Sequence, residues 1–289
     1  MNTKYTISNL FFSCTINQLG AEISSLKSIN TGGEFIWQAD PDIWAGSSPI
    51  LFPVVGRLKG GKYQVEGKEY SMPIHGFIKE QSFKLIEQTD TSVILRSCSN
   101  QTTLKYYPFH YQFDVIFSLR ENSLTVTYEV TNCDTKDLYF AIGSHPAFAL
   151  DPKELASGQC NLIFSAQESE LCHLIKNDLL SLNKYPVNIP NKTLLLTTDL
   201  FENDALIFRD ISSSSITLSN SSGPRLSLEV GANKHLGIWA KPNAPYVCIE
   251  PWTTTDESIR TPVELKDKPD MLCLNPGGKS TNFYRINIF

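Results

Sequence analysis

The chain is expected to fold as an all-β, mostly antiparallel protein, a large two-sheet sandwich. Three observations predict this. Apolar and polar residues alternate with period two over many short runs, Gly and Pro punctuate those runs at 16 positions each, and no convincing amphipathic helical pattern appears. At 289 residues the chain can bury a large core, and two packed sheets suit that length better than a small barrel.

The elements follow in order. FSCTINQLGAEISSLKS near the start reads as two strands. KYQVEGKEYSM reads as a hairpin turning near Glu66-Gly67. SVILRSCS and FDVIFSLR are half-buried strands. In SLTVTYEVTN (123–132), Leu124, Val126, Tyr128 and Val130 share one face, while Thr125, Thr127 and Glu129 share the other. SITLSNSS, RLSLEVG and YVCIEPW complete the set. Short helices are expected only after Asp151 or near Asp199–Leu206, and residues 166–190 read as an excursion with longer loops. No repeat, low-complexity tract or linker divides the chain, so residues 1–289 are read as one domain.

Composition narrows the function. The formal net charge is −5 with no block of Lys/Arg, which leaves no electrostatic footprint for nucleic acid. No run of about 18 apolar residues appears, so no membrane span is expected, and the N-terminus does not read as a signal peptide. Seven scattered cysteines without C-x-x-C spacing read as reduced, mostly buried thiols of a cytoplasmic protein.

Four segments set titratable residues among Gly, Pro and aromatics. In SPILFPVVGRLKGG, Arg57 is either a surface residue at a strand end or a fork holding ligand oxygens. In MPIHGF, His75 lies beside Gly76, which permits close backbone approach, and Phe77, an apolar wall; a satisfied core histidine fits equally. In AIGSHPAF, Pro146 restricts His145 to extended backbone and fixes its imidazole, which suits a catalytic group or a structural strand end. In VCIEPWTTTDE, alternation puts Glu250 on one face with Cys248 and Trp252. A carboxylate there is costly unless paired, and a raised pKa suits a general base. Salt-bridge pairing is the competing reading. No H-E-x-x-H, closely spaced His/Cys pair, G-x-S-x-G, P-loop or Rossmann glycine pattern occurs, which leaves acid/base chemistry without metal or cofactor.

Taken in order, GR (56–57), HGF (75–77), YPFHYQF (107–113), SHPAF (144–148) and IEPW (249–252) resemble the motifs of the aldose 1-epimerases, or galactose mutarotases, and within them the bacterial LacX-like branch. The resemblance spans nearly the whole chain. It implies the galactose mutarotase-like supersandwich with an open sugar-binding cleft, and cofactor-free interconversion of the α and β anomers of a hexose. It implies Glu250 as general base at the C1 hydroxyl and His145 as general acid at the ring oxygen. It implies His75, Arg57 and Asp204, in LFENDALIF, as sugar-binding groups, with Phe77 and Trp252 as apolar walls. The chain departs from the better-known galactose mutarotases in having GRLKGGKY, with Lys59 where an Asn follows the Gly-Arg motif, and HGF in place of HGG. A hexose 6-phosphate therefore stands as an alternative substrate, with Arg57, Lys59 and Lys79 as phosphate ligands. A non-catalytic carbohydrate-binding protein is the second reading and a glycoside hydrolase or lyase the third. The hydrolase would need a second carboxylate beside Glu250. The expected partner is a small sugar, bound by a monomer or homodimer.

Overall fold

The computed structural model describes residues 3–289. The core lies between antiparallel sheets. The larger sheet has nine strands in the order Thr193–Leu195, Asn161–Phe164, Ser215–Asn220, Gly223–Glu229, Lys279–Ile288, Ser123–Asn132, Tyr111–Arg120, Ser92–Cys98 and Lys84–Gln88. Its centre is the alternating run expected from sequence. Leu124, Val126, Tyr128 and Val130 are buried, and Val126 pairs with Tyr284 on one side and Phe117 on the other. The opposite face is polar, and Arg96 grips Asp114 there through two hydrogen bonds of 2.7 Å.

The second sheet carries the chemistry-bearing segments. It runs Leu206–Phe208, His235–Trp239, Tyr246–Trp252, Gly143–Ser144 and Ile50–Leu51, with Ala147–Ala149 also pairing with Tyr246–Trp252. All seven residues of Tyr246–Trp252 are buried. That strand is covered on both faces, so it lacks the polar half that alternation normally leaves in water. A bond between Tyr128 Oη and Ser144 Oγ at 2.9 Å ties the two sheets together one residue before His145. A three-stranded sheet, Lys4–Ser8, Phe12–Asn17 and Ile23–Ser28, adds Ile7, Cys14, Ile16 and Leu26 to the same core.

The local expectations largely hold. The hairpin Lys62–Val65/Lys68–Ser71 turns at Glu66-Gly67. The segment after Asp151 forms a short helix, Pro152–Ala156, whose first turn is capped by the Asp151 carboxylate accepting from the Lys153 N–H at 2.7 Å. Residues 166–190 contain only two-residue strands. The helix considered near Asp199–Leu206 does not form. Three overlapping turns fill it, closed by Leu200 N–H to Thr197, Glu202 N–H to Asp199 and Asp204 N–H to Phe201. Asp204 then adopts φ +71°, which ends any right-handed path before the strand begins at Leu206. The seven cysteines are free thiols, of which Cys14, Cys160, Cys172 and Cys248 are buried. No helix among the described residues is long and apolar enough to cross a membrane.

The strand Asn161–Phe164 separates the two faces cleanly, with Leu162 fully buried and Ile163 38% exposed. Leu162→Ala is expected to lower stability by about 2–5 kcal/mol and Ile163→Ala by less than about 1 kcal/mol. Chemical denaturation of the two variants checks this, and equal losses would contradict the assignment of faces.

Candidate active site

Beside the doubly covered strand lies a cleft of about 400 Å³, a size ordinary for a small-molecule site. Glu250, His145, His75, Arg57, Asp204 and Trp252 all line it. These six come from five separate stretches of the sequence, and the second sheet brings them together.

Glu250 sits in mid-strand opposite Gly237 and its side chain is 2% exposed. Its Oε2 is buried without a hydrogen-bond donor and lies 3.3 Å from His145 Nε2. Burial drives the Glu250 carboxyl well above the usual carboxylate range, and the nearby Asp256 and Asp204 push the same way. His145 is held by its backbone, as Pro146 suggested. Its N–H donates to the Pro49 carbonyl, and the Pro146 carbonyl accepts from the Ile249 N–H. Burial lowers the imidazole to about 3. Each group is thus pushed by burial toward its neutral form.

Trp44 forms a platform for His145. The two rings stack with centroids 5.1 Å apart, and Trp239 meets the imidazole edge-on at 5.5 Å. The Trp44 carbonyl accepts from Trp37 Nε1, and the loop carrying it is pinned where the Ser47 and Ser48 N–H groups donate to Glu22. Both Trp44 and Glu22 line the cleft.

His75 is clasped to the Gly-Arg turn from both sides. Its N–H donates to the Gly56 carbonyl, while the Gly56 N–H donates to its Nδ1 at 3.1 Å. Because Nδ1 accepts, the proton of the neutral ring sits on Nε2, which is left to donate to a ligand. Desolvation, then His145, lowers the His75 pKa well below its ordinary value and keeps the ring neutral.

Arg57 is a fork between two carboxylates. Nη2 lies 2.9 Å from Asp204 Oδ2 and Nη1 lies 3.4 Å from Asp256 Oδ1, while the Arg57 N–H donates to the same Asp256 oxygen at 2.8 Å. Asp256 is buried, which raises its pKa against the opposing pull of Arg57. Its carboxyl packs onto Gly56, where a Cβ would stand 2.3 Å from Asp256 Cγ, and the φ of +70° there also favours glycine. Trp252 lies in a slot between neighbouring strands. A Cβ on Gly143 or Gly237 would come within 2.7 Å of the indole.

Asp204 alone of the acidic residues in its segment lines the cleft, and Asp199, Glu202 and Asp210 do not. Phe77 is not a wall of the cleft. It is 3% exposed and packs against Phe52, Tyr107 and Tyr111 in the aromatic core, because the turn at His75-Gly76 sends the next side chain inward. Lys59 also lies outside the cleft lining, with its Nζ at the Ile259 and Thr261 carbonyls. Lys79 does line it, beside Glu80. Sequence reasoning missed Trp44, Glu22 and Asp256. A tryptophan inside the turn-rich DPDIWAGSSP was a usable signal for the first, and the other two gave none.

As a whole, the chain resembles a known family and known structures. Residues 3–286 match the family model described as Aldose 1-epimerase. The chromosomal Protein LacX of Lactococcus lactis subsp. lactis is 30% identical over 297 residues, covering 98% of each chain. The solved structure of a galactose mutarotase related enzyme from Lactobacillus acidophilus superposes with a TM-score of 0.92 at 30% identity, over 99% of this chain and 97% of that one. A galactose mutarotase-like protein from Lactobacillus casei ATCC 334 gives 0.92 at 27% identity, over 99% and 100%. With the motifs in order, the sandwich in place and the match running nearly end to end, the chain belongs to the aldose 1-epimerase family, whose members are isomerase-type enzymes of sugars.

Proposed function

We propose that this chain is a cofactor-independent hexose 1-epimerase, acting as one domain in the cytoplasm. The observation that carries the reading is the couple of Glu250 Oε2 and His145 Nε2, 3.3 Å apart and buried at the wall of an open cleft. Sugar binding alone does not require a carboxyl and an imidazole to share a proton in so dry a place.

The couple performs the reaction as follows. With its one proton on His145, Glu250 is a carboxylate that takes the proton of the C1 hydroxyl. His145 gives its proton to the ring oxygen, and the C1–O5 bond breaks to leave the open-chain aldehyde. Glu250 is then protonated and His145 neutral, the forms that burial favours. Rotation about C1–C2 presents the other carbonyl face. Closure runs both transfers backwards, so the protein ends as it began. Each acid/base contribution is worth about 10²–10⁴-fold. The His75 Nε2–H supports the ring oxygen as charge develops, the Arg57–Asp204 pair orients hydroxyls, and Trp252 offers an apolar face to the pyranose.

A phosphorylated hexose is a second reading, favoured by Lys79 at the cleft. Against it, Glu22 and Glu80 flank the same region, and Lys59, the third basic residue of such a phosphate site, is directed elsewhere. Polarimetry of freshly dissolved α-D-glucose and α-D-galactose, followed by glucose 6-phosphate, tests both readings. Wild-type protein is expected to accelerate relaxation of a free hexose, and Glu250→Gln to lose about 10²–10⁴-fold of that acceleration while still binding sugar by calorimetry. Unchanged turnover in Glu250→Gln would sink the mechanism. Acceleration with glucose 6-phosphate alone would favour the second reading.

Trp44 should be felt through His145. Trp44→Ala is expected to lower kcat by about 10–100-fold, the scale of a misplaced catalytic group, and Trp44→Phe to retain most activity. Steady-state mutarotation kinetics read this, and equal kcat in Trp44→Ala and wild type would show that the stack does not position the imidazole.

A further inference from the structure

Cys248 has no part in the reaction described above. It is a free, fully buried thiol two residues before Glu250, on the same face of the same strand. One donor atom from each of His145, Cys248 and Glu250 lies within 4.8 Å of the other two. The set holds a nitrogen, a sulfur and an oxygen, and Glu250 Oε2 is buried with no hydrogen-bond partner among the described residues.

The distances fit a particular ion. Two ligands each about 2.0–2.1 Å from a tetrahedral centre stand about 3.3–3.4 Å apart. The 3.3 Å between His145 Nε2 and Glu250 Oε2 already matches that edge. A thiolate at about 2.3 Å from the same centre must lie about 3.5–3.6 Å from each of them. Since the three atoms already lie within 4.8 Å of one another, Cys248 Sγ has at most about 1.3 Å to close, a movement shared between its own side chain and those of His145 and Glu250. Three protein ligands would leave a fourth position open, and it would face the cleft, which Glu250 and His145 line.

We propose that His145, Cys248 and Glu250 form a binding site for a borderline-soft divalent cation, best matched by Zn²⁺, whose occupation excludes the sugar and inhibits the protein. Coordination joins the ion to Nε2, Sγ and a carboxylate oxygen, and the thiol proton and the proton shared by the couple pass to solvent. Mg²⁺ does not substitute, since it demands octahedral oxygen ligands. The inhibition rests on the proposed function, because it blocks the same acid/base couple. The binding site does not.

Calorimetric titration with ZnCl₂ tests the site directly. The full chain is used with the exposed Cys98, Cys133 and Cys273 changed to Ser, so that surface thiols do not contribute. One Zn²⁺ per chain is expected, MgCl₂ giving no binding. Cys248→Ala on that background should weaken Zn²⁺ by about 100-fold or more, since loss even of a group supporting a ligand costs about 10–100-fold. Cys248→Ser, closer in size, is the second variant should Ala perturb folding, and it should weaken Zn²⁺ likewise. Polarimetry then reads function, with Zn²⁺ stopping catalysed mutarotation, a chelator restoring it, and Cys248→Ala staying active in Zn²⁺. Absence of one-site binding, or binding unchanged in both Cys248 variants, would overturn the proposal. Cys248-dependent binding in a protein that never accelerates mutarotation would keep the site and remove the proposed function instead.

Discussion

A carboxylate in the middle of a strand covered on both faces is the constraint on which the rest of the site depends. Burying Glu250 is unfavourable unless something answers its charge. The fold answers with a proton rather than with a fixed cation, since the group nearest its bare oxygen is an imidazole that burial also disfavours in charged form. Two groups that each resist charge, set against each other, make a couple that can exchange one proton at little net change in charge. The surrounding elements hold that couple in register. The backbone grips His145 on both sides, Trp44 supports its ring, and Tyr128 anchors the preceding Ser144 to the larger sheet.

The permanent charges sit a step away. Arg57 spends both arms on Asp204 and Asp256, so the cleft contains a fixed cation without offering it to the couple as a counterion. Asp256 is the less visible partner. It receives the Arg57 backbone N–H as well as the guanidinium, and it occupies space that only a glycine at position 56 leaves free. Its negative charge also adds to the upward pressure on Glu250. One residue therefore positions the cleft-lining arginine and raises the basicity of the Glu250 carboxyl, which ties the two to the same turn.

Much of this was legible in the sequence, for physical reasons that differ by residue. Period-two patterning exposes a strand wherever one face is wet, so Ser123–Asn132 read directly from its letters. The same rule carried further than expected in YVCIEPW, because alternation still assigns faces when both are dry, and Cys248, Glu250 and Trp252 do share a side. Proline beside His145 marks a stretch whose backbone is hydrogen-bonded on both sides, at the His145 N–H and the Pro146 carbonyl. Phe77 misled because adjacency to a histidine says nothing about direction once the backbone turns through two left-handed residues. The acidic stretch around Asp204 looked helical because spacing cannot register a positive φ. Trp44, Glu22 and Asp256 escaped because their roles arise from contacts with residues far along the chain, Trp44 with His145, Glu22 with Ser47 and Ser48, and Asp256 with Arg57.

The central claim is that Glu250 and His145 act as one proton-exchanging unit. The most direct test is a double-mutant cycle on catalysed mutarotation with Glu250→Gln, His145→Asn and the two combined. Groups that act as a unit give strongly non-additive losses. The account predicts that the double variant is scarcely slower than either single one. Losses that multiply, each substitution slowing the other variant by its full factor, would mean that the two residues work independently and would contradict it.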